Sequence, residues 1–181
     1  MYALIFVSGT IVFGVISRNS LLSNHSHGFY RFFAWEILLA LFLMNADGWF
    51  SNPLAWYQLI SWLLLAISIV LVFQGLRLLR EIGKLDADRA DPALLALEKT
   101  SHLVVIGLYR YIRHPLYSSL FFLGWGMVLK SPSWLDAGLG LACTIFLVAT
   151  ARVEERENIA YFGSEYLKYM QRSKMFIPFV F

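Results

Sequence analysis

Gly107-Leu108-Tyr109-Arg110-Tyr111-Ile112-Arg113-His114-Pro115-Leu116-Tyr117 is a short polar run set directly before a strongly apolar segment. It carries two arginines, one histidine and three tyrosines. Pro115 suits the first position of a helix, where its missing N–H would have had no partner anyway. A membrane helix beginning there sets Arg113 and His114 at its mouth. Polar groups at that depth are costly in lipid and are usually kept for a pocket.

The surroundings of this run point to a membrane. Hydrophobic residues make up 59% of the 181 residues, whereas a soluble domain carries about 45–50%. The 17% aromatic content fits interfacial anchoring. Cys143 is the single cysteine and lies in an apolar run, so no disulfide framework is expected. His25, His27 and His102 read as isolated loop histidines, and no histidine pair has metal-ligand spacing on a helix. No metal and no nucleic-acid partner are therefore expected.

Taken from the start, Tyr2 to Ile16 reads as a first membrane helix with its N-terminus outside, without the basic front of a signal peptide. A second runs from Phe29 to Met44 and carries Arg31 and Glu36. Asn45-Ala46-Asp47-Gly48 and Ser51-Asn52-Pro53 break it. A third runs from Leu54 to Leu79. The polar stretch from Glu81 to Ser101 contains Asp91-Pro92, which predicts a short amphipathic helix from Pro92 to Leu97. Leu116 to Leu129 and Trp134 to Ala149 form a fourth and a fifth helix around the turn Ser131-Pro132-Ser133. Gly124, Gly126, Gly138 and Gly140 either let that hairpin close tightly or reflect the glycine content of membrane helices. The tail stays helical to Phe162, stops at Gly163 and restarts at Ser164 in an interfacial pattern. The expected fold is all-α: an integral membrane protein of about five transmembrane helices, a helical hairpin and a helical tail. It forms a single membrane domain over 1–181, with a three-helix part over 1–80 and a core over 95–181.

Charge placement orients it. Fourteen of the fifteen Lys and Arg fall in Arg18 to Arg31, Arg77 to Arg113 and Arg152 to Lys174, and the last is Lys130. Alternate loops are basic, which predicts N-terminus out, C-terminus in the cytoplasm and five crossings. The hairpin then returns the chain to the same face and sets Arg113-His114 beside Glu154-Glu155. The membrane is the inner one in a bacterium and the endoplasmic reticulum in a eukaryote.

One cluster is cationic and aromatic and the other is a carboxylate pair. Together they suit a zwitterionic ligand with hydroxyls, and tyrosine faces attract sulfonium or ammonium. S-adenosylmethionine has all these features, though none of them selects it alone. Each residue also has a plainer reading. Arg110 and Arg113 fit positive-inside anchors, the tyrosines fit an interfacial belt, and Glu154, Glu155 and Glu157 fit a solvated face. Glu36 reads as a structural partner of Arg31 or of another helix.

The pattern Gly107-x-Tyr109-Arg110-Tyr111-x-Arg113-His114-Pro115-x-Tyr117 resembles the signature of the isoprenylcysteine carboxyl methyltransferase family, with its phospholipid and methanethiol methyltransferase relations. Glu154-Glu155, Phe162-Gly163, Glu165-Tyr166, Tyr169 and Pro178 extend the resemblance over residues 95 to 181. The resemblance implies a membrane methyltransferase using S-adenosylmethionine, with an acceptor entering from the bilayer. It implies cofactor contacts from Tyr109, His114, Pro115, Leu116, Tyr117, Glu154 and Glu155. Arg113 and Glu154 are the expected catalytic residues and Arg152 an expected substrate contact. The chain departs from the family at Leu108, Ser118, Ser119 and Asn158, which bears on the substrate more than on the cofactor.

A carboxylate acceptor needs no base and could be held by Arg113 or Arg152. A thiol or amine must lose a proton, to Glu154, Glu155 or His114. Two other readings stay open: a sterol-reductase-like oxidoreductase binding a nicotinamide cofactor, and a non-catalytic membrane binding subunit.

Overall fold

The computed structural model describes residues 1–22, 26–84 and 100–180. The amphipathic helix expected from Pro92 to Leu97 lies outside the described residues, as does His25. Among the described residues six α-helices follow one another: α1 (Tyr2–Leu21), α2 (His27–Met44), α3 (Trp56–Ile82), α4 (Pro115–Val128), α5 (Trp134–Phe162) and α6 (Ser164–Arg172). Single 3₁₀ turns cover Ala46–Gly48 and Gly107–Arg110.

Local signals set most of the boundaries. Ser26 caps α2, its Oγ accepting from the Phe29 N–H at 3.3 Å. Ser133 caps α5 in the same way at the Asp136 N–H, 3.1 Å. Between Leu141 and Phe162 there is neither Gly nor Pro, and α5 runs unbroken through the charged segment. It stops at Gly163, whose φ of 60° a side chain would strain. α1 continues past the expected end at Ile16, because Ser17, Arg18 and Asn19 keep the helix without a breaker.

Among the described residues four helices, α1, α2, α3 and α5, are long and apolar enough to cross a membrane. α4 has 14 residues, or about 21 Å at about 1.5 Å per residue, which is short of a hydrocarbon core about 30 Å thick. The helices alternate in direction all the same. Near one end of the bundle Tyr2 Oη donates to Asp47 Oδ1 at 2.7 Å and Asn45 Nδ2 to Asp136 Oδ1 at 2.9 Å. There Gln58 Nε2 donates to the Lys130 carbonyl at 3.0 Å, and Lys130 Nζ returns a bond to Gln58 Oε1 at 3.0 Å. Lys130 is 1% exposed, with its ammonium 3.3 Å from the Trp62 ring centroid. At the opposite end the start of α2 reaches α5, where the His27 N–H donates to Glu157 at 3.3 Å.

α4 packs most extensively on α3, and α2 on α5. The core joins Ala34, Leu38 and Leu41 of α2 to Met127 and Val128 of α4 and to Cys143, Leu147 and Ala151 of α5. Leu4, Val7, Ile11, Leu63, Phe73 and Ile145 point outward from the bundle, as lipid-facing side chains do. Lipid removes the hydrophobic drive between helices, so close contact depends on small residues. The expected hairpin glycines divide accordingly. Gly140 meets Val128 within the hairpin, whereas Gly126 admits Leu65 of α3 and Gly124 admits Leu38 of α2.

Candidate active site

The run that opened the sequence forms the floor of a cavity. Gly107, at φ 60°, turns the chain against Leu78 of α3; a Cβ there would lie 2.8 Å from the Leu78 side chain. The 3₁₀ turn that follows aims Tyr109 inward, and His114 sits at the N-cap of α4 with Pro115 behind it.

The chain after α6 returns alongside this floor. The Arg113 N–H donates to the Lys174 carbonyl at 2.7 Å, the His114 N–H to Met175 at 3.2 Å, and the Lys174 N–H to Tyr111 at 2.9 Å. Ser118 Oγ donates to the Phe176 carbonyl at 2.8 Å, and Tyr169 Oη to the Tyr109 carbonyl at 2.6 Å. Met175 and Phe176 are buried beneath.

The two charged blocks meet here. Arg113 Nε donates to Glu155 Oε1 at 2.6 Å, and its Nη1 donates to the Ser173 carbonyl and, at 3.4 Å, to that of Met170. His114 Nε2 lies 3.4 Å from Glu155 Oε1 and its Nδ1 lies 3.9 Å from Glu154 Oε2. The imidazole stacks on Tyr117 with centroids 5.5 Å apart and planes at 18°.

The cavity encloses about 290 Å³. Of the residues expected from sequence, Tyr109, Arg113, His114, Leu116, Tyr117 and Glu154 line it. Glu155 stands behind the wall, turned to Arg113. Pro115 packs against Gly75 of α3 and also stays out of the wall. Arg152 is exposed and off the cavity. Two residues along a helix turn a side chain through about 200°, so Arg152 and Glu154 cannot share a face, and the geometry gives the expected substrate contact no support.

Phe162, Tyr166 and Tyr169, which the resemblance included without a role, also line the wall, as does Asn158, whereas Val72, Leu76 and Leu79 of α3 carried no recognised pattern. Ser119 and Asn158, two of the departures from the family pattern, are both wall residues. Burial and then the charges of Glu154 and Glu155 push the Tyr166 phenol well above its usual pKa, and burial does the same to Tyr169. Both stay protonated at neutral pH and are unsuited to act as bases.

The largest omission is α2. Arg31 and Trp35 line the cavity, and Arg31 is 1% exposed. Of the two alternatives for Glu36 the second holds: Glu36 Oε2 accepts from Thr10 Oγ1 of α1 at 2.8 Å. His27 is not an isolated loop residue. It is the first residue of α2, fully buried, with Nδ1 2.5 Å from Glu157 Oε2. An ionisable residue five positions inside an apolar helix was the available signal for Arg31.

The wall thus offers guanidinium, imidazole, carboxylate and tyrosine faces, opposite apolar side chains of α3 and α4. This donor set fits a ligand bearing both charges together with an aromatic or apolar part. Among the described residues, no group of His, Cys, Asp and Glu is placed to hold a metal.

A family model described as phospholipid methyltransferase matches residues 56–165, from the start of α3 into α6. The chain is similar to human protein-S-isoprenylcysteine O-methyltransferase, with 31% identity over 176 residues, covering 91% of this chain and 56% of that protein. An Arabidopsis thaliana protein-S-isoprenylcysteine O-methyltransferase B is 26% identical over 66% of this chain and 61% of its own length. Methanethiol S-methyltransferase of Crocosphaera subtropica is 34% identical over 40% of this chain and 28% of its own length. The chain therefore spans about half the length of the human relative, 56%. No solved structure matches.

Proposed function

The chain belongs to the phospholipid methyltransferase family, and we propose on that basis that it moves a methyl group from S-adenosylmethionine to a lipophilic acceptor within the membrane. The observation that carries this reading is the meeting of Arg113-His114 with Glu154-Glu155 around a cavity whose other side is apolar. Relatives named for O-methylation of isoprenylcysteine and S-methylation of methanethiol support a reading in which the acceptor reacts through oxygen or sulfur.

The fit of donor set to cofactor is chemical. Glu154 suits the ammonium or the ribose hydroxyls, the tyrosine faces suit a sulfonium, and the wall supplies cations for a carboxylate. When bound, S-adenosylmethionine supplies an electrophilic methyl group. The chain's own part is alignment and exclusion of water. The tail contributes to the second, closing the wall with Phe162, Tyr166 and Tyr169. Val72, Leu76, Leu116 and Leu120 form the side by which an apolar acceptor enters from the bilayer. A thiol acceptor would give its proton to His114 or Glu154, both of which line the wall. The same reading places the cavity end and the C-terminus in the cytoplasm, following the basic loops, with 1–181 as one membrane unit.

Calorimetric titration in detergent tests this directly. S-adenosylhomocysteine should bind, and a nicotinamide dinucleotide should not. Transfer of labelled methyl to lipid extracts, followed by identification of the labelled product, names the acceptor. Binding of the nicotinamide cofactor alone, or of neither ligand, would overturn the reading.

A further inference from the structure

We propose that Arg110, Tyr111, Lys174 and Phe179 form a docking surface for the anionic phospholipid headgroups of the leaflet at the cavity end of the bundle. The inference stands apart from the methyltransferase reading. It concerns the outer side of the strap that follows α6, whose inner side packs under the cavity floor. The four residues are contiguous. The Lys174 N–H donates to the Tyr111 carbonyl at 2.9 Å and the Arg113 N–H to the Lys174 carbonyl at 2.7 Å, so two short stretches run side by side. Exposure alternates across them: Ile112, Ser173 and Met175 are buried, whereas Tyr111 and Lys174 face outward. The Arg110 guanidinium carbon lies 5.8 Å from the Tyr111 ring centroid, and the Phe179 ring lies 5.9 Å from it on centroids. Among the described residues, no acidic side chain stands within ion-pair distance of Arg110 or Lys174. The patch therefore presents two uncompensated cations beside two rings.

Depth says what covers it. α4 begins at Pro115, four residues after Tyr111, and has 14 residues. Its length of about 21 Å leaves about 9 Å of the hydrocarbon core unspanned. The residues just before Pro115 thus stand at headgroup level and not out in water. At that level aromatic rings settle at the boundary and basic side chains meet lipid phosphates. The end of the strap gives a second, independent sign. The Val180 N–H donates to the Ile177 carbonyl at 3.2 Å and closes a turn with Phe179 at φ 65°, where glycine is the ordinary occupant. Phe179 is nevertheless there, and 81% exposed. A strained and exposed ring beside Tyr111 is unfavourable in water and favourable at a lipid boundary. An anionic leaflet matches both halves of the patch, with phosphate oxygens for the guanidinium and ammonium and the upper acyl region for the rings. A soluble protein would have to displace lipid to reach this depth.

The test reads which lipid lies against the strap. The full chain carries a fluorescent dye at Val180→Cys, since Cys143 is buried and stays unlabelled. It is reconstituted in bilayer discs of equimolar phosphatidylcholine and phosphatidylglycerol. In one set only the phosphatidylglycerol has brominated, quenching acyl chains; in the other only the phosphatidylcholine does. Quenching by the anionic lipid should exceed that by the zwitterionic one about fivefold, and high salt should shrink the ratio. Arg110→Gln combined with Lys174→Gln should bring the ratio close to one. Phe179→Ser should lower quenching by both lipids and keep the preference. All three substitutions change exposed side chains, and melting curves in the same discs check the fold. Equal quenching by both lipids in the wild type, or a preference that survives loss of both cations, would overturn the proposal. Quenching by neither lipid would also overturn it, whether water, a second copy of the chain or another protein then covers the patch.

Discussion

Arg113 and Glu155 lie 42 residues apart in the chain and meet at 2.6 Å between Nε and Oε1, with side chains 10% and 9% exposed. A hairpin of two helices separates them, and the pair closes the loop that the hairpin makes. It is also what attaches the tail, since the same guanidinium holds the Ser173 carbonyl.

Breaking this pair from one side should be costly. Glu155→Ala leaves a buried guanidinium without its carboxylate, and a loss of about 3 kcal/mol is expected. Combining it with Arg113→Met should recover part of that loss, because no stranded charge remains. Unfolding of all three variants in detergent measures the coupling; strictly additive losses would show that the two side chains act independently.

His114 is expected to matter for ligand binding more than for folding. Its ring stacks on Tyr117 and faces Phe176 with centroids 6.3 Å apart. His114→Ala should weaken S-adenosylhomocysteine about tenfold, and His114→Phe should keep the stacking and the fold without restoring the polar contact. Titration calorimetry with parallel melting curves separates the two effects, and unchanged affinity in both variants would remove His114 from the site.

The tail should detach when its apolar foot is cut. Phe176 is 2% exposed and belongs to the core cluster, so Phe176→Ala should cost about 3 kcal/mol. Ser118→Ala removes one bond to the Phe176 carbonyl and should cost about 1 kcal/mol. Limited proteolysis should cleave both variants after α6 faster than the wild type, in that order.

The opposite end of the bundle supplies a control. Lys130→Met removes the ammonium from the Trp62 face and leaves Gln58 Oε1 without its donor. A loss of about 2 kcal/mol is expected, with S-adenosylhomocysteine affinity unchanged. Weakened binding in a variant that remains folded would mean that the two ends are coupled.

Much of this was legible along the chain because it depends on local chemistry. Pro115 starts α4, Ser131-Pro132-Ser133 turns the hairpin and Gly163 ends α5, each through a backbone property of a few residues. The meeting of the two charged blocks was legible for a related reason. One hairpin returns the chain to its starting side whatever the angle at which the helices pack.

Rotation and partnership were not legible. Whether Glu154 or Arg152 faces the cavity is a matter of about 200° around α5, and with charges on every side of that stretch no apolar stripe marks the inner face. His27 and Glu157 are 130 residues apart, and nothing near either one announces the other. Arg31 was legible as a basic residue at the start of the second helix, but only the docking of α2 on α5 turned it inward. The sequence by itself determined the helices, their breaks and the shared end of the charged blocks, since these follow from short-range backbone and charge rules. Only tertiary packing decided which cation faces the cavity, because that choice is made by contacts between helices distant in the chain.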